Sequence, residues 1–254
     1  MTDEFNSKNR FSSRVENYIK YRPKYPQEII SFLENSDIVL QESVIADVGS
    51  GTGILSEIFL KNGNKVYGIE PNTEMRLAAE RLLEKYPNFV SIDGSAEETG
   101  LKKNSIDIII AGQAFHWFDQ EKARKEFIRV LKPPGQVALI WNRRKKSGTK
   151  FLVDYENVLS TYGIEYKKIY NIKPKFNDFF GLETAFKRVV FENYQELDYS
   201  SLEGRLLSSS YAPLKDHPNH DPMVKTLKDI YQQNQKNNLV TLEYDTEVYY
   251  GQLI

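Results

Sequence analysis

The sequence predicts an α/β fold: a Rossmann-like, mostly parallel sheet with an antiparallel C-terminal strand and a helical cap. Three observations carry this expectation. Short β-branched runs alternate with helical stretches between Val44 and Trp141, a glycine-rich turn joins the first such strand to the first such helix, and a period-two stretch, LVTLEYDTEVYY, lies at Leu239 to Tyr250. Strict strand–helix alternation implies right-handed crossovers and hence parallel neighbours. One domain over 1–254 is expected, with cap elements at about 1–35 and 195–237.

Residues 1–10 are polar and expected to fray. Phe11 to Lys20 has helical spacing through Phe11, Val15, Tyr18 and Ile19. In Tyr21-Arg22-Pro23-Lys24-Tyr25-Pro26 two prolines impose an extended turn. A helix resumes over Gln27 to Asn35. Arg22, in that turn, is suited to a bidentate pair with a carboxylate.

The central stretch is VIADVGSGTGILSEIFLKNGNKVYGIEP, Val44 to Pro71. Val44, Ile45, Ala46 and Val48 form an apolar run suited to a strand covered on both faces. Gly49-Ser50-Gly51-Thr52-Gly53 follows, its glycines permitting positive φ and close ligand approach. Ile54, Leu55, Ile58 and Phe59 recur at helical spacing, and Gly63 is placed to end that helix. Val66 to Ile69 form the second strand, and Glu70 sits where a carboxylate can hold a ribose hydroxyl pair. A dinucleotide loop needs G-x-G-x-x-G, but its third glycine position falls on Ile54. Asp47 before the loop would repel a pyrophosphate and suits a cationic ligand.

Asn72 and Thr73 can cap the next helix, with Met75, Leu77, Ala78, Leu82 and Leu83 as its apolar positions. Phe89 to Asp93 is a third strand, followed by Gly94-Ser95-Ala96-Glu97, a loop on the ligand-binding edge. Ile106 to Ala111 is the fourth strand and runs into Gly112-Gln113-Ala114-Phe115-His116-Trp117-Phe118-Asp119. A helix from about Gln120 to Leu131 stops at Pro133-Pro134-Gly135, and Gln136 to Trp141 is the fifth strand. Beyond it Arg143, Arg144, Lys145, Lys146 and Lys150 form a basic run, read either as a solvated loop or as an anion or RNA patch. Helices are expected over Phe151 to Tyr162, Leu202 to Ser210 and Pro222 to Gln235, with a sixth strand over Phe186 to Tyr194.

At 254 residues and 29.5 kDa the chain can bury a full core. A net charge of −1 provides no field for nucleic acid or an anionic membrane. With no cysteine and three scattered histidines, His116, His217 and His220, no metal site is expected. No apolar run approaches membrane-spanning length, and the N-terminus is not that of a signal peptide, so a cytoplasmic location is expected. Aromatic residues make up 13%, read either as a half-buried surface or as a cap over an apolar pocket.

The D-x-G-x-G-x-G run resembles motif I of the class I S-adenosylmethionine (SAM)-dependent methyltransferases. Together with YRPKYP, GIEP, AGQAFHWFD, LIWNRR, SSSYAP and LEYDTEVYYG, the chain resembles the type 11 small-molecule group, which includes trans-aconitate and quinone-pathway methyltransferases. The resemblance implies SAM as cofactor, with S-adenosylhomocysteine (SAH) as product. It places SAM against Asp47 and the loop Gly49, Ser50, Gly51, Thr52 and Gly53, the ribose on Glu70, and adenine near Pro71, Ser95 and Ala96. Many relatives carry an acid where this chain has Ser95, which puts the adenine amino contact on another group. Tyr21, Arg22 and Gln113 complete the cofactor set, with Tyr21 and Arg22 at the amino-acid end.

The acceptor is expected to be a small molecule with a carboxylate, hydroxyl or carbon acid, and the protein a monomer or homodimer. Tyr18, His116, Trp117 and Trp141 are candidate acceptor-binding residues. His116 follows the fourth strand and is the candidate base, titrating near 6.5, with a hydrogen-bonded structural role as the alternative. Ala111-Gly112-Gln113-Ala114 lacks the N/D-P-P-Y grip of nucleobase amino methyltransferases. The competing readings are a SAM-binding sensor without turnover, an RNA methyltransferase and a nicotinamide-dependent oxidoreductase.

Overall fold

The computed structural model describes residues 15–166, 176–181 and 186–253. The expected helix over 11–20 therefore lies partly outside the described residues; its described part is α1, Val15–Tyr21. α2 (Glu28–Asn35) follows the proline-bounded turn. The alternating region comprises β1 (Val44–Val48), α3 (Ile54–Lys61), β2 (Lys65–Ile69), α4 (Thr73–Leu83), β3 (Phe89–Ile92), β4 (Ile106–Gly112), α5 (Gln120–Val130) and β5 (Leu131–Arg144). After it come α6 (Lys150–Tyr162), α7 (Phe176–Phe180), β6 (Lys187–Leu197), α8 (Tyr199–Leu207), α9 (His220–Asn234) and β7 (Val240–Gln252).

The seven strands are ordered β3-β2-β1-β4-β5-β7-β6. Pairings among β1 to β5 are parallel, and β7 runs antiparallel to both β5 and β6. The chain reverses order between β1 and β4, so the loops after these two strands open a crevice at their carboxyl ends. The central strands alternate between two cores. Ile45, Ile108, Ile110 and Ile140 pack with Ile29, Leu33 and Phe59 on one face. Ala46, Ile109, Leu139 and Trp141 pack with Phe115, Phe127 and Phe179 on the other. Burial on both faces is why these strands read as continuous apolar runs.

Local chemistry sets the boundaries. Asn72 caps α4 by accepting from Met75 N at 2.9 Å, Asp119 caps α5, and Gly63 ends the turn after α3 at φ 96°. The closing strand is antiparallel as expected, but it lies inside the sheet and β6 forms the edge. Its alternate residues Leu242, Tyr244, Thr246 and Val248 are buried, whereas β6 is largely exposed and rich in charged and amide residues. Such an edge resists pairing with another sheet. β5 runs three residues past the expected Trp141 because β7 continues to pair with it, out to Arg144 and Tyr244.

A third core joins the late helices. Leu152, Tyr155 and Leu159 of α6 pack with Leu202 and Leu206 of α8, Leu227 of α9 and Tyr244 of β7. The basic run is neutralised within the fold. Arg143 pairs with Glu247, Arg144 and Lys146 with Glu156, Lys145 with Glu243 and Asp245, and Lys150 with Asp154. These pairings match the run's charge to neighbouring carboxylates and so weigh against the anion or RNA patch. Among the described residues no helix is long and apolar enough to cross a membrane, and no group of three or more His, Cys, Asp or Glu side chains could hold a metal.

Candidate active site

The crevice at the carboxyl edge of β1, β2 and β4 contains two adjoining hollows. The larger, about 870 Å³, lies among Gly51, Glu70, Pro71, Ser95, Ala96, Gln113 and Trp117. The smaller, about 430 Å³, is lined by Arg22, Asp47, Ser50, Thr52 and Asn142. Tyr18, Gly49, Gly112 and Gln113 border both, so the hollows are continuous along one side of the glycine loop.

The loop is held by its own backbone. Gly49 N and Ser50 N both donate to the carbonyl of Ile69 at the end of β2, at 2.8 and 3.1 Å. Gly51 has φ 56°, and a Cβ there would meet nothing within 4 Å, because that face of the residue borders the open hollow. Gly53 borders neither hollow. A Cβ on it would come within 2.5 Å of Leu83 Cδ1, so its role is to pack the loop onto α4. The ligand contact expected of Gly53 from the sequence has no support from the lining of either hollow.

Glu70 is 9% exposed and fixed by two backbone donors, Gly51 N to Oε2 at 2.9 Å and Asn72 N to Oε1 at 2.8 Å. A carboxylate oxygen accepts more than one hydrogen bond, so a hydroxyl in the larger hollow can join these donors. Ser95 Oγ accepts from Glu97 N and Glu98 N at 3.3 and 3.2 Å and so shapes the loop over that hollow.

The smaller hollow has unusual electrostatics. Asp47 is fully buried; Oδ2 accepts from Ser56 Oγ at 2.6 Å, while Oδ1 has no partner. Burial, only partly offset by Ser56 and reinforced by the Glu70 charge, raises its pKa to about 7. Thr52 Oγ1 and Arg22 Nε are likewise buried without partners. Arg22 lies 4.7 Å from the Tyr18 ring and donates from Nη2 to the Ser208 carbonyl at 3.1 Å. Burial lowers its pKa, and Arg205 lowers it further. The three residues that carry these orphaned atoms, an acid, a cation and a hydroxyl, thus line one small recess.

The remaining candidates divide. Tyr18 and Trp117 line the hollows, but Tyr21 does not: its ring packs on Gly204 of α8, where a Cβ would fall 2.0 Å from Cε2. Trp141, expected as a wall for the acceptor, is 7% exposed and sits in the core between Phe115, Phe176 and Tyr249. The register decides this: it sits on the same face as Leu139, beneath the aromatic cluster of α5 and α7. His116 lies in a short 3-10 turn, Phe115–Trp117, with its ring 4.8 Å from that of Trp117, and borders neither hollow. Burial and the Arg22 charge lower its pKa to about 4, which corrects the expected titration near 6.5. Met75, Phe118, Tyr25 and Asn142 also line the site and were not singled out from sequence. Phe118 stood in the same motif as Trp117, whereas nothing local distinguished Asn142 from its neighbours.

Residues 46–139 match a family model described as a methyltransferase domain. An uncharacterised methyltransferase of Schizosaccharomyces pombe is 37% identical over 138 residues, 54% of each chain. An uncharacterised methyltransferase of Mycobacterium tuberculosis is 37% identical over 134 residues, 53% of this chain and 52% of its own. The matched stretch thus spans about half the length of these relatives. Among solved structures, a candidate type II methyltransferase from Anaeromyxobacter dehalogenans superposes with a TM-score of 0.65 at 18% identity, over 92% of this chain and 99% of that one. A geranyl diphosphate methyltransferase solved with SAM gives 0.50 at 11% identity, over 90% and 85%. At these identities the likeness is one of fold: this chain has the Rossmann-like methyltransferase fold, with a mixed, mostly parallel sheet and a helical cap.

Proposed function

We propose that this methyltransferase fold binds SAM in the two hollows and transfers its methyl group to a small-molecule acceptor, leaving SAH. The observation that carries the reading is the set of orphaned atoms in the smaller recess. A methionine moiety brings an ammonium and a carboxylate, and the recess offers Asp47 Oδ1 to the first and Arg22 Nε to the second. A buried polar atom without a partner is costly, so three of them on residues that line one hollow support a place for a ligand to complete. The larger hollow suits a nucleoside, with Glu70 for the ribose hydroxyls and Pro71, Ala96 and Met75 as walls for a planar base.

Bound there, SAM would supply an electrophilic methyl group on a sulfonium. The chain's own part is positioning and exclusion of water. Trp117 and Phe118 give the larger hollow an aromatic wall, and Tyr18 extends it along the border that the two hollows share. His116 is neutral across the physiological range and borders neither hollow, which argues against its serving as the base. An already ionised acceptor would need no base.

Calorimetry with SAM, SAH and NAD, followed by labelled-SAM turnover over an acceptor panel, tests the proposal. SAM and SAH binding at one site, no NAD binding and a labelled product are expected. Binding with no product across the panel would favour the sensor reading, and no binding would overturn the assignment of the recess.

A further inference from the structure

Arg205, in the last turn of α8, is 6% exposed. A guanidinium this deeply buried ordinarily has a carboxylate partner. The partners of Arg205 are neutral: Nε donates to Tyr244 Oη at 3.2 Å and Nη1 to Ser209 Oγ at 3.1 Å, and the Tyr244 ring lies 6.0 Å away. Burial works against its charge, and the side chains that favour it are Tyr244, Tyr155 and Tyr211, with no carboxylate among them. Arg144 shows the contrast, since it is buried against Glu156.

A second cation is fastened beside it. Arg22 donates to the carbonyl of Ser208, the residue next to the one that Arg205 holds, and the two guanidiniums repel. The carboxyl end of α8 offers about half a negative charge, against two full positive ones. One carboxylate, that of the methyl donor, would balance Arg22 and leave Arg205 uncompensated. Burial alone would raise the Tyr211 phenol, but Arg205, Arg144, the Ser209 hydroxyl and Arg22 together hold it below its ordinary value. An incoming oxyanion would meet the same field. Arg22 and Tyr211 are each only partly buried, so the group is not sealed from the surface. Arg22 lines the hollow of Asp47, and its charge reaches His116, beside the cleft-lining Trp117.

We propose that the methyl acceptor carries an oxyanion, a carboxylate or a phosphate, seated on Arg205 with the Tyr211 hydroxyl beside it and Arg22 as the partition toward the donor recess. The proposal rests on the methyltransferase reading of the neighbouring hollows. Its chemistry is that of a guanidinium fork, which matches the paired oxygens of either group.

The test titrates the full chain, saturated with SAH, with citrate, with inorganic phosphate and with uncharged glycerol. One saturable site for an anion and none for glycerol is expected; tighter citrate identifies a carboxylate, tighter phosphate a phosphate. Arg205→Gln should weaken the anion about tenfold or more, with SAH affinity within about twofold of the native value. Arg205→Lys, which keeps the charge and loses the fork, should weaken it by a smaller factor. If Arg205→Gln fails to fold, Arg205→Lys and Tyr211→Phe decide the matter, and native-like anion binding in both overturns the proposal. Absence of saturable anion binding to the native chain overturns it as well. Should SAH not bind, the same titrations on the free protein separate the two readings: anion binding that depends on Arg205 keeps this site, even with the donor assignment gone.

Discussion

Replacing Asp47 by asparagine removes one charge from the recess and almost no volume. The pKa of Asp47, raised from 3.8 to about 7, corresponds to about 4 kcal/mol of penalty against the ionised form, at about 1.36 kcal/mol per unit. The sign follows from the raised value. The unfolded chain ionises this group near 4 and the free folded protein only near 7, so stability falls as pH rises between them and is lowest above 7. Asp47→Asn would abolish that slope. The amide N–H that it introduces takes the place of the orphaned oxygen and costs about 1–3 kcal/mol if left unpaired, so at pH 8 the ligand-free variant should be more stable by roughly 1–3 kcal/mol. At pH 4 that advantage disappears. SAM binding should move the other way. Losing the charge-assisted bond to an ammonium costs about 1.5–3 kcal/mol, or about 12- to 150-fold in affinity. In the native protein SAM binding must strip the proton from Asp47, so below pH 7 affinity should fall by up to about tenfold per unit. Denaturation curves at pH 4, 6 and 8 give the first result. Calorimetry in two buffers of different ionisation enthalpy gives the second, as proton release on binding. An Asp47→Asn protein that binds SAM normally, or native binding without proton release at pH 6, would refute the argument.

Other expectations are simpler to check. Glu70→Gln keeps an acceptor for one backbone donor but sets an amide N–H against the other, and should weaken SAH by about 1.5–3 kcal/mol and lower stability by about 1–3 kcal/mol, so affinity is compared where both proteins are fully folded; unchanged affinity removes the ribose role. His116 should show no inflection in turnover between pH 6 and 8, because its pKa lies near 4. Since a depressed histidine loses its stabilising contribution as pH falls from about 6.5 toward 4, His116→Gln should flatten the acid limb of the stability profile, and an unaltered limb would contradict the burial assigned to the ring. Gly204→Ala would drive a methyl into the Tyr21 ring and should cost about 1–3 kcal/mol, read by thermal unfolding. Hydrogen exchange should show α1, which buries no residue of its own, gaining protection with SAH. The 21–24 strap, tied by Gln195, Asn193 and Arg22 to β6 and α8, should be protected throughout. Equal protection of α1 with and without ligand would remove its role as a lid.

The sequence makes the order of strands and helices from β1 to β5 legible, though not the short α7, because parallel strands covered on both faces must read as short β-branched runs and their helices as 3.6-residue stripes. It also placed Asp47, Gly49, Gly51 and Glu70 on one edge, since the residues after β1 and β2 emerge side by side at the carboxyl end of a parallel pair. What depends on facing and burial came from packing in three dimensions. Trp141 reads like a pocket wall, but a strand turns successive side chains to opposite faces, and its register commits it to the core. Tyr21 and Tyr18 lie three residues apart near one helix end, yet the glycine at 204 draws one ring into α8 and leaves the other over the cleft. The titration of His116 and Asp47 follows from desolvation, a property of everything packed around a group rather than of its neighbours along the chain. Arg205 was invisible for the same reason: the acid its charge would need is missing from its surroundings in space, and no local pattern records that absence.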